Sequence, residues 1–195
     1  MYKIIVAIIK PFIKILFPYE AIGSENLSKI NEGYILCSNH LSNLDAIFLA
    51  VIHPRPIFFM AKAELFEIKL FGKMLSALGV FSIQRGKNDK VGLNTAESVL
   101  KSNKVLGIFI EGTRSKTGGF LRPKSGVSVL SHSTKKPILP VCITGANNNK
   151  IKIFTKTKIK YGELIRNEDL EINPDNLLGF KKATKYIMSK ITDLR

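Results

Sequence analysis

Continuous apolar runs alternate with segments of helical period between residues 34 and 144. The runs predicted as strands cover residues 34–37, 57–61, 80–84, 105–110 and 138–144. The segments predicted as helices cover residues 46–52, 65–78, 93–100 and 125–131. Strands that are apolar on both faces and separated by helices are typical of a parallel sheet covered by helices. The pattern therefore predicts an α/β fold, a single domain with a largely parallel mixed sheet flanked by helices.

Two further patterned segments follow towards the carboxyl terminus. In residues 150–160, KIKIFTKTKIK, lysines alternate with isoleucines and threonines, which is the period of a half-exposed strand. The basic face of this strand is typical either of a sheet edge protected by lysines or of a phospholipid-binding surface. Pro174 is predicted as the first residue of a final amphipathic helix that reaches Ile191.

The first 22 residues form an apolar segment with a stripe of lysines. On a helix, Lys3, Lys10 and Lys14 project within roughly 40° of one another and leave the other faces apolar. The uncharged run of residues 4–9 is too short to span a bilayer, and Pro11 is predicted to kink the helix. The helix is expected either to lie in a membrane interface or to pack on the core. The predicted division is an amphipathic, membrane-associated segment at 1–22 and the α/β domain at 23–195.

Composition and charge narrow the class of protein. The chain has 195 residues, of which 45% are hydrophobic and 23% are charged, so it is expected to fold throughout. Lysine and arginine number 30 against 15 aspartates and glutamates, and the net charge of +15 favours a polyanionic partner. Nucleic acid, an anionic bilayer and a phosphorylated substrate are all negatively charged partners of this kind. Cys37 and Cys142 lie in apolar runs, which predicts two buried thiols and no disulfide.

The stretch SNHLSNLD at residues 38–45 lies where a predicted strand gives way to a helix. If Ser42 or Asn43 caps that helix, Asp45 falls in its first turn and can reach His40 at the strand end. An aspartate bound to one imidazole nitrogen leaves the other nitrogen free to act as a general base. The alternative is a surface histidine beside a capping aspartate. No Gly-x-Ser-x-Gly turn supplies a nucleophile, so a substrate hydroxyl is expected to play that part.

Three more stretches accompany this one in or just after predicted strands. The full set is Asn39 and His40 with Asp45, FSIQR at 81–85, FIEGTRS at 109–115 and ILPV at 138–141. In this order they closely resemble the 1-acylglycerol-3-phosphate acyltransferase family of glycerolipid synthesis. AKAEL at 61–65, and Lys124 with Gly126, are also similar to the family pattern. The resemblance spans residues 33 to 164 and departs at Ser82, where a bulky apolar residue is common.

The resemblance implies a reaction and a set of site residues. His40, oriented by Asp45, would take the proton from the free hydroxyl of lysophosphatidic acid as that oxygen attacks an acyl thioester, giving phosphatidic acid. The donor would be acyl-CoA or acyl carrier protein, and no cofactor is expected. Three cations are expected to bind the substrate phosphate, namely Lys62, Arg85 and Arg114. Three residues of the third stretch are expected to bind the acceptor or to support the loop, namely Glu111, Gly112 and Thr113.

The resemblance also implies a location and leaves alternatives open. Residues 23–195 would be an acyltransferase domain held on an anionic membrane surface at the cytoplasmic face of the cell membrane, as a peripheral or monotopic protein. Glycerol 3-phosphate or another lysophospholipid could be the acceptor instead. A different class is a non-catalytic basic module that binds membrane or nucleic acid. Nucleic acid is not expected, because only Phe154 interrupts the basic strand as a stacking residue. No metal site is expected, since His53 and His132 stand alone.

Overall fold

The computed structural model describes residues 2–83, 90–146, 151–174 and 176–195. The α-helices are α1 (Tyr2–Leu16), α2 (Leu44–Ile52), α3 (Lys69–Ala77), α4 (Lys90–Lys101), α5 (Gly126–Thr134) and α6 (Leu177–Asp193). The strands are β1 (Tyr19–Ile22), β2 (Tyr34–Ser38), β3 (Ile57–Lys62), β4 (Phe81–Ile83), β5 (Val105–Phe109), β6 (Ile138–Thr144) and β7 (Thr157–Tyr161). Short 3-10 helices cover Ser24–Lys29, Ala63–Phe66 and Glu168–Leu170. Strands and helices alternate from β2 to β6, as the apolar pattern predicts.

Within the described residues, seven strands form one sheet in the order β1-β7-β6-β2-β5-β3-β4. β2 lies at the centre, between β5 and β6, and every neighbouring pair is parallel except β6 and β7. Parallel neighbours need crossover connections, and the intervening helices supply them on the two faces. The predicted fold, a single α/β domain with a largely parallel mixed sheet flanked by helices, is confirmed.

The core lies on both faces of the sheet. In β2, Leu36 belongs to the cluster that includes α1 and α2, while Ile35 and Cys37 belong to the cluster that includes α4, α5 and α6. Cys37 and Cys142 are buried free thiols, as predicted, and burial raises the pKa of Cys142 to about 11. Both thiols are therefore protonated packing groups rather than nucleophiles.

One face of α1 packs on the domain and a second apolar face stays exposed. Ile13 is 7% exposed, and the Tyr2 hydroxyl donates a hydrogen bond to the carbonyl of Ala50 in α2 at 3.0 Å. The exposed apolar side chains recur every three or four residues and are Ile4 (65%), Ile8 (60%), Phe12 (61%) and Ile15 (69%). We call these four residues the α1 stripe. Core packing, one of the two expected roles of this helix, therefore uses only part of its apolar surface.

No helix in the described parts of the chain combines the length and the apolar character that crossing a membrane requires. α1 itself is 15 residues long and runs continuously through Pro11. At 1.5 Å per residue such a helix is shorter than the hydrocarbon core of a bilayer.

The single helix predicted at residues 65–78 is wrong, because the chain forms two shorter elements there. A 3-10 helix covers Ala63–Phe66, and α3 begins only at Lys69. The short helix folds back on α3 so closely that a side chain at Gly72 would lie 2.7 Å from the carbonyl oxygen of Phe66. Gly72, the fourth residue of α3, therefore lies where the 3-10 helix approaches α3 most closely, and a larger side chain there would meet the backbone of Phe66.

The strand predicted at residues 150–160 is wrong in extent and in position. β7 covers only its last part, residues 152–155 form a turn, and Lys150 lies outside the described residues. A sheet edge protected by lysines, one of the two expected roles of this strand, is not what the structure shows, because β1, which the apolar pattern did not predict, pairs with the outer side of β7. Thr157 and Ile159 are buried and Lys158 is exposed, so the predicted alternation holds within β7 itself.

Two boundaries also differ from the prediction. α6 begins at Leu177 rather than at Pro174, because the side-chain oxygen of Asn176 accepts a hydrogen bond from the amide of Leu178 at 2.8 Å and caps the helix there. β4 begins at Phe81, and its predicted last residue, Gln84, lies outside the described residues.

Candidate active site

The side chain of Asn39 ties the loop after β2 to the neighbouring strand β6. Its Nδ2 donates to the carbonyl of Ile143 at 2.9 Å, and its Oδ1 accepts from the amide of Ile143 at 2.8 Å. Asn39 is 1% exposed, so water does not compete for either bond. Because this clamp fixes the end of β2, it also fixes the backbone of His40. The motif in the sequence contains Asn39, but its pattern does not disclose this role.

His40 and Asp45 meet across the turn between β2 and α2. Oδ2 of Asp45 accepts from Nδ1 of His40 at 2.8 Å, from the amide of Leu41 at 2.6 Å and from the amide of Ser42 at 2.8 Å. Asp45 lies in the first turn of α2, where the helix dipole favours a negative charge, and it is completely buried. The predicted pair is therefore present, with the carboxylate held by three donors.

The capping residues of α2 differ from one another in function. Oγ of Ser42 accepts from the amide of Leu44 at 3.2 Å, whereas the side chain of Asn43 makes no capping bond. Oδ1 of Asn43 instead accepts from the guanidinium of Arg114 at 2.8 Å. The same turn that orients His40 therefore also holds a cation at the mouth of the site.

The ring of His40 stacks on Phe109, the last residue of β5. The ring centroids are 3.8 Å apart and the planes are 10° from parallel. Phe59 of β3 continues the stack on Phe109 at 5.7 Å and 12°. The contact fixes the plane of the imidazole and keeps water from one of its faces. This support was missed by sequence reasoning, since a phenylalanine at a strand end also fits a simple core position.

Nε2 of His40 is the nitrogen left over for chemistry. Since Asp45 accepts at Nδ1, the proton of the neutral imidazole lies on Nδ1 and Nε2 carries the lone pair. No side chain in the described parts of the chain hydrogen-bonds to Nε2, and the His40 side chain is 13% exposed. The arrangement can therefore accept a proton from a hydroxyl that arrives from outside.

Glu111 follows β5 and lies under the same loop. Its Oε1 accepts from the amide of His40 at 3.4 Å, and the residue is 1% exposed. Burial raises the pKa of Glu111 to about 7, and the negative charge of Asp45 adds to the increase, while backbone amides of His40 and Leu121 oppose it. A carboxyl group that is half protonated near neutral pH is unusual and is found most often at functional sites.

The loop that carries Glu111 is clasped to the loop of His40. The amide of Ser115 donates to the carbonyl of His40 at 2.8 Å, and the amide of Lys124 donates to the carbonyl of Ile110 at 2.8 Å. Gly112 has a φ of +69°, which only glycine adopts without strain. A Cβ there would also lie 3.3 Å from Cγ of Lys124. Thr113, the other predicted residue of this turn, is exposed.

The three predicted phosphate-binding cations have different placements. Arg114 is exposed and is hydrogen-bonded to Asn43, in the turn that follows His40. Lys62 is exposed at the end of β3, and β5 separates this strand from β2. The prediction for Arg85 falls outside the described residues. Since β2 and β3 are both parallel to β5, the carboxyl ends of these strands lie together along one side of the sheet. We call this row of strand ends, which includes His40 and Lys62, the catalytic edge.

The remaining histidines have other surroundings. His53 follows the last residue of α2 and lies near the start of β2, away from the catalytic edge. There its Nε2 is 2.6 Å from the hydroxyl of Tyr34. Burial lowers the pKa of His53 to about 4. His132 lies in the last turn of α5, as predicted. Among the residues that the structure describes, no group of three or more histidine, cysteine or acidic side chains could hold a metal ion.

Glu111→Gln is expected to stabilise the protein more at pH 8 than at pH 5. The folded carboxyl keeps its proton up to about pH 7, whereas the ordinary value is 4.5, so the folded state binds more protons between these two values. Its contribution to the free energy of unfolding is therefore lost as pH rises through about 7, by about 3 kcal/mol. Urea unfolding of both proteins at several pH values measures this.

The difference between the two proteins isolates Glu111, because His53 acts in both. The pKa of His53 is lowered rather than raised, so His53 removes stability in both proteins as pH falls from 6.5 towards 4. A Glu111→Gln effect that is equal at pH 5 and pH 8 would contradict a raised pKa.

Comparison with known proteins shows that the chain is similar to acyl-transferring enzymes. The profile of the family described as Acyltransferase matches residues 19–144. A "1-acyl-sn-glycerol-3-phosphate acyltransferase" of Bacillus subtilis is 30% identical over 161 residues, which are 82% of this chain and 79% of the relative. A protein of the same description from Helicobacter pylori is 33% identical over 150 residues, 74% of this chain and 61% of the relative.

One solved structure supports the fold. The crystal structure of the 1-acyl-sn-glycerophosphate (LPA) acyltransferase PlsC from Thermotoga maritima superimposes with a TM-score of 0.77 at 24% sequence identity. The match covers 99% of this chain and 79% of that one, so it includes α1 as well as the sheet.

Proposed function

Because this chain belongs to the 1-acyl-sn-glycerol-3-phosphate acyltransferase family, and is therefore an acyltransferase, we propose that it acylates 1-acylglycerol 3-phosphate to phosphatidic acid. The observation that carries the proposal is the His40 and Asp45 pair, with Nε2 of His40 unoccupied by any described side chain and Arg114 at the same turn. A base of this kind, with no nucleophile attached to it, suits a reaction in which the acceptor itself brings the attacking oxygen.

The proposed reaction is a direct transfer between two bound substrates. Nε2 of His40 takes the proton of the acceptor hydroxyl while the oxygen attacks the carbonyl carbon of the acyl thioester. The tetrahedral intermediate collapses, the bond between carbon and sulfur breaks, and the thiolate leaves. The imidazolium returns the proton to the sulfur, so the products are the ester and a free thiol. Asp45 stabilises the imidazolium and fixes its orientation.

The phosphate of the acceptor is proposed to bind at the catalytic edge. Arg114 is the first candidate, because it is exposed beside the turn of His40 and a guanidinium can bind two phosphate oxygens. Lys62 and Arg85 are the further candidates. Glu111, Gly112 and Thr113 are proposed to bind the acceptor or to support the loop, and the contact between Glu111 and the amide of His40 favours support for Glu111.

Arg114→Ala is expected to raise KM for lysophosphatidic acid about tenfold to 100-fold, which is the effect of losing one charge-assisted hydrogen bond. The melting temperature should change little, because the side chain is exposed. Steady-state kinetics at several acceptor concentrations measure this. Arg122→Ala, an exposed arginine in the loop before α5, is the matched control and should leave KM unchanged. Equal KM values for Arg114→Ala and the natural chain would remove Arg114 from the proposed site.

The acyl donor is proposed to be a thioester of CoA or of acyl carrier protein. The decisive experiment supplies each donor with lysophosphatidic acid in mixed micelles and identifies the lipid product by mass spectrometry. Formation of phosphatidic acid with either donor supports the proposal. Product only from glycerol 3-phosphate, or only from another lysophospholipid, would replace the acceptor. No product from any donor and acceptor would favour a non-catalytic basic binding module.

The protein is proposed to work as a peripheral or monotopic protein on the cytoplasmic face of the cell membrane. The segment 1–22 would be the membrane-associated part and residues 23–195 the acyltransferase domain, although β1 joins that segment to the sheet. The α1 stripe offers apolar side chains to the bilayer, and Lys3, Lys10 and Lys14 are exposed on another face of the same helix, where they can meet anionic headgroups. Sedimentation with anionic vesicles measures this docking, and its absence at low salt would contradict it.

A further inference from the structure

A turn far from α1 in sequence adjoins the end of the α1 stripe. Residues 152–155 form this turn, in which the amide and the hydroxyl of Thr155 bond to the carbonyl of Lys152 at 3.3 and 2.8 Å. The amide of Phe154 donates to the carbonyl of Leu16, the last residue of α1, at 2.7 Å. We call residues 152–155 the phenylalanine turn.

The two apolar side chains of the phenylalanine turn point into solvent. Phe154 is 72% exposed and Ile153 is 55% exposed. Phe154 also has a φ of +58°, in the left-handed region that a bulky side chain rarely adopts. Strained residues of this kind cluster at binding sites, where the strain is part of the function. A large aromatic group held outwards against its backbone preference has no role in the core.

We propose that the phenylalanine turn is a second membrane-insertion site, which seats the catalytic edge on an anionic lipid bilayer together with the α1 stripe. This inference rests on the proposed membrane docking of α1 and adds a separate segment with a different position in the fold. The occupant is a lipid surface, because the exposed apolar groups are flanked by cations that suit anionic headgroups.

The topology places the phenylalanine turn at the catalytic edge. β6 ends at this edge beside the His40 loop, to which Asn39 ties it, and residues 145–156 connect that end to the start of β7. Since β1 and β7 start at the same edge, the last turn of α1 lies there too. An inserted turn would therefore hold the bilayer next to the site where a lysolipid must deliver its hydroxyl.

The charges around the turn match an anionic surface. Lys152 is exposed within the turn, and Lys14 is exposed in the last turn of α1. Lys156 is paired with Glu20 at 2.9 Å, so it is partly neutralised. The apolar tip and the basic surroundings resemble a wedge that enters the headgroup region while its lysines stay at the surface.

The test is a variant that removes the phenyl ring but suits the backbone. Phe154→Asn keeps the left-handed conformation at lower strain, because asparagine tolerates it, so the melting temperature should stay equal or rise. Binding to vesicles of phosphatidylcholine with phosphatidylglycerol should fall about fivefold to tenfold, as expected for losing a partly buried aromatic ring. Leu177→Ser is the matched control, because Leu177 is 78% exposed and begins α6, which packs on the face of the sheet opposite to α1, and vesicle binding of this variant should not change.

A double variant, Ile8→Ser with Phe12→Ser, separates this inference from the docking of α1. Loss of vesicle binding in the double variant, with full binding by Phe154→Asn, would overturn the turn as an insertion site and leave α1 docking intact. Equal losses in Phe154→Asn and Leu177→Ser would overturn it as well. A dimer of the natural chain that Phe154→Asn converts to a monomer, with no change in vesicle binding, would assign the turn to a second copy instead.

The rate of acyl transfer provides an independent test of the inserted turn. The ratio of the rate on lysophosphatidic acid embedded in vesicles to the rate on a short-chain, monomeric acceptor should fall in Phe154→Asn. Vesicle binding does not require acyl transfer, so a protein that binds and yet forms no phosphatidic acid would refute the proposed reaction without refuting the inserted turn. A rate ratio and a vesicle affinity that both equal those of the natural chain would refute the turn alone.

Discussion

His40→Ala is expected to lower kcat for acyl transfer about 10³-fold to 10⁴-fold, the contribution of a well-placed general base. Nε2 of His40 is the atom proposed to take the acceptor proton, and Phe109 and Asp45 hold the ring in one orientation. Without it, the hydroxyl must lose its proton to water. KM for the acceptor should change little, because the phosphate contacts are proposed for other side chains.

The His40→Ala experiment needs a folded variant and a matched histidine. His132→Ala removes a half-buried imidazole from the last turn of α5 and should keep the natural rate. Circular dichroism and the melting temperature show whether each variant is folded. If folded His40→Ala kept a rate within a few-fold of the natural chain, His40 would not be the base.

Asp45→Asn is expected to lower kcat about 10²-fold to 10³-fold and also to destabilise the protein by about 1 to 3 kcal/mol. Oδ2 of Asp45 accepts three hydrogen bonds, one from Nδ1 of His40 and two from backbone amides. If the amide oxygen of asparagine takes the place of Oδ2, all three bonds survive, but the negative charge proposed to stabilise the imidazolium is lost and the NH₂ group is buried where Oδ1 has no hydrogen-bond partner. If the NH₂ group takes that place instead, it faces three donors, so the two backbone amides lose their acceptor and the imidazole is forced into the other tautomer.

Urea unfolding and steady-state kinetics on Asp45→Asn measure the two effects separately. Asp193→Asn, an exposed aspartate at the end of α6, should change neither the rate nor the free energy of unfolding. A stable Asp45→Asn protein with a normal rate would mean that the carboxylate neither orients His40 nor anchors the turn.

The sequence predicts the central sheet and the contact between His40 and Asp45 because both depend on local patterns. β2 and β6 are buried along their whole length, so their apolar runs mark them without reference to any neighbour. His40 and Asp45 are five residues apart, and one turn between a strand and a helix is enough to bring them together. The expected buried thiols, Cys37 and Cys142, follow from the same apolar runs.

The features that escaped prediction depend on contacts between distant segments. β1 is a four-residue strand at the end of an apolar helix, and only its pairing with β7 identifies it. The broken helix before α3 depends on the close approach of Phe66 to Gly72. The bonds of Asn39 to Ile143 span 104 positions, so no local pattern contains them.

The most direct test of a single transfer step is the release of thiol from an acyl thioester in the absence and in the presence of lysophosphatidic acid. The account predicts no burst of thiol and no acylated protein until the acceptor is added, because the acceptor hydroxyl is proposed as the nucleophile that His40 activates. Release must then equal the phosphatidic acid formed. A stoichiometric burst without acceptor, with an acyl group found on the protein by mass spectrometry, would contradict it.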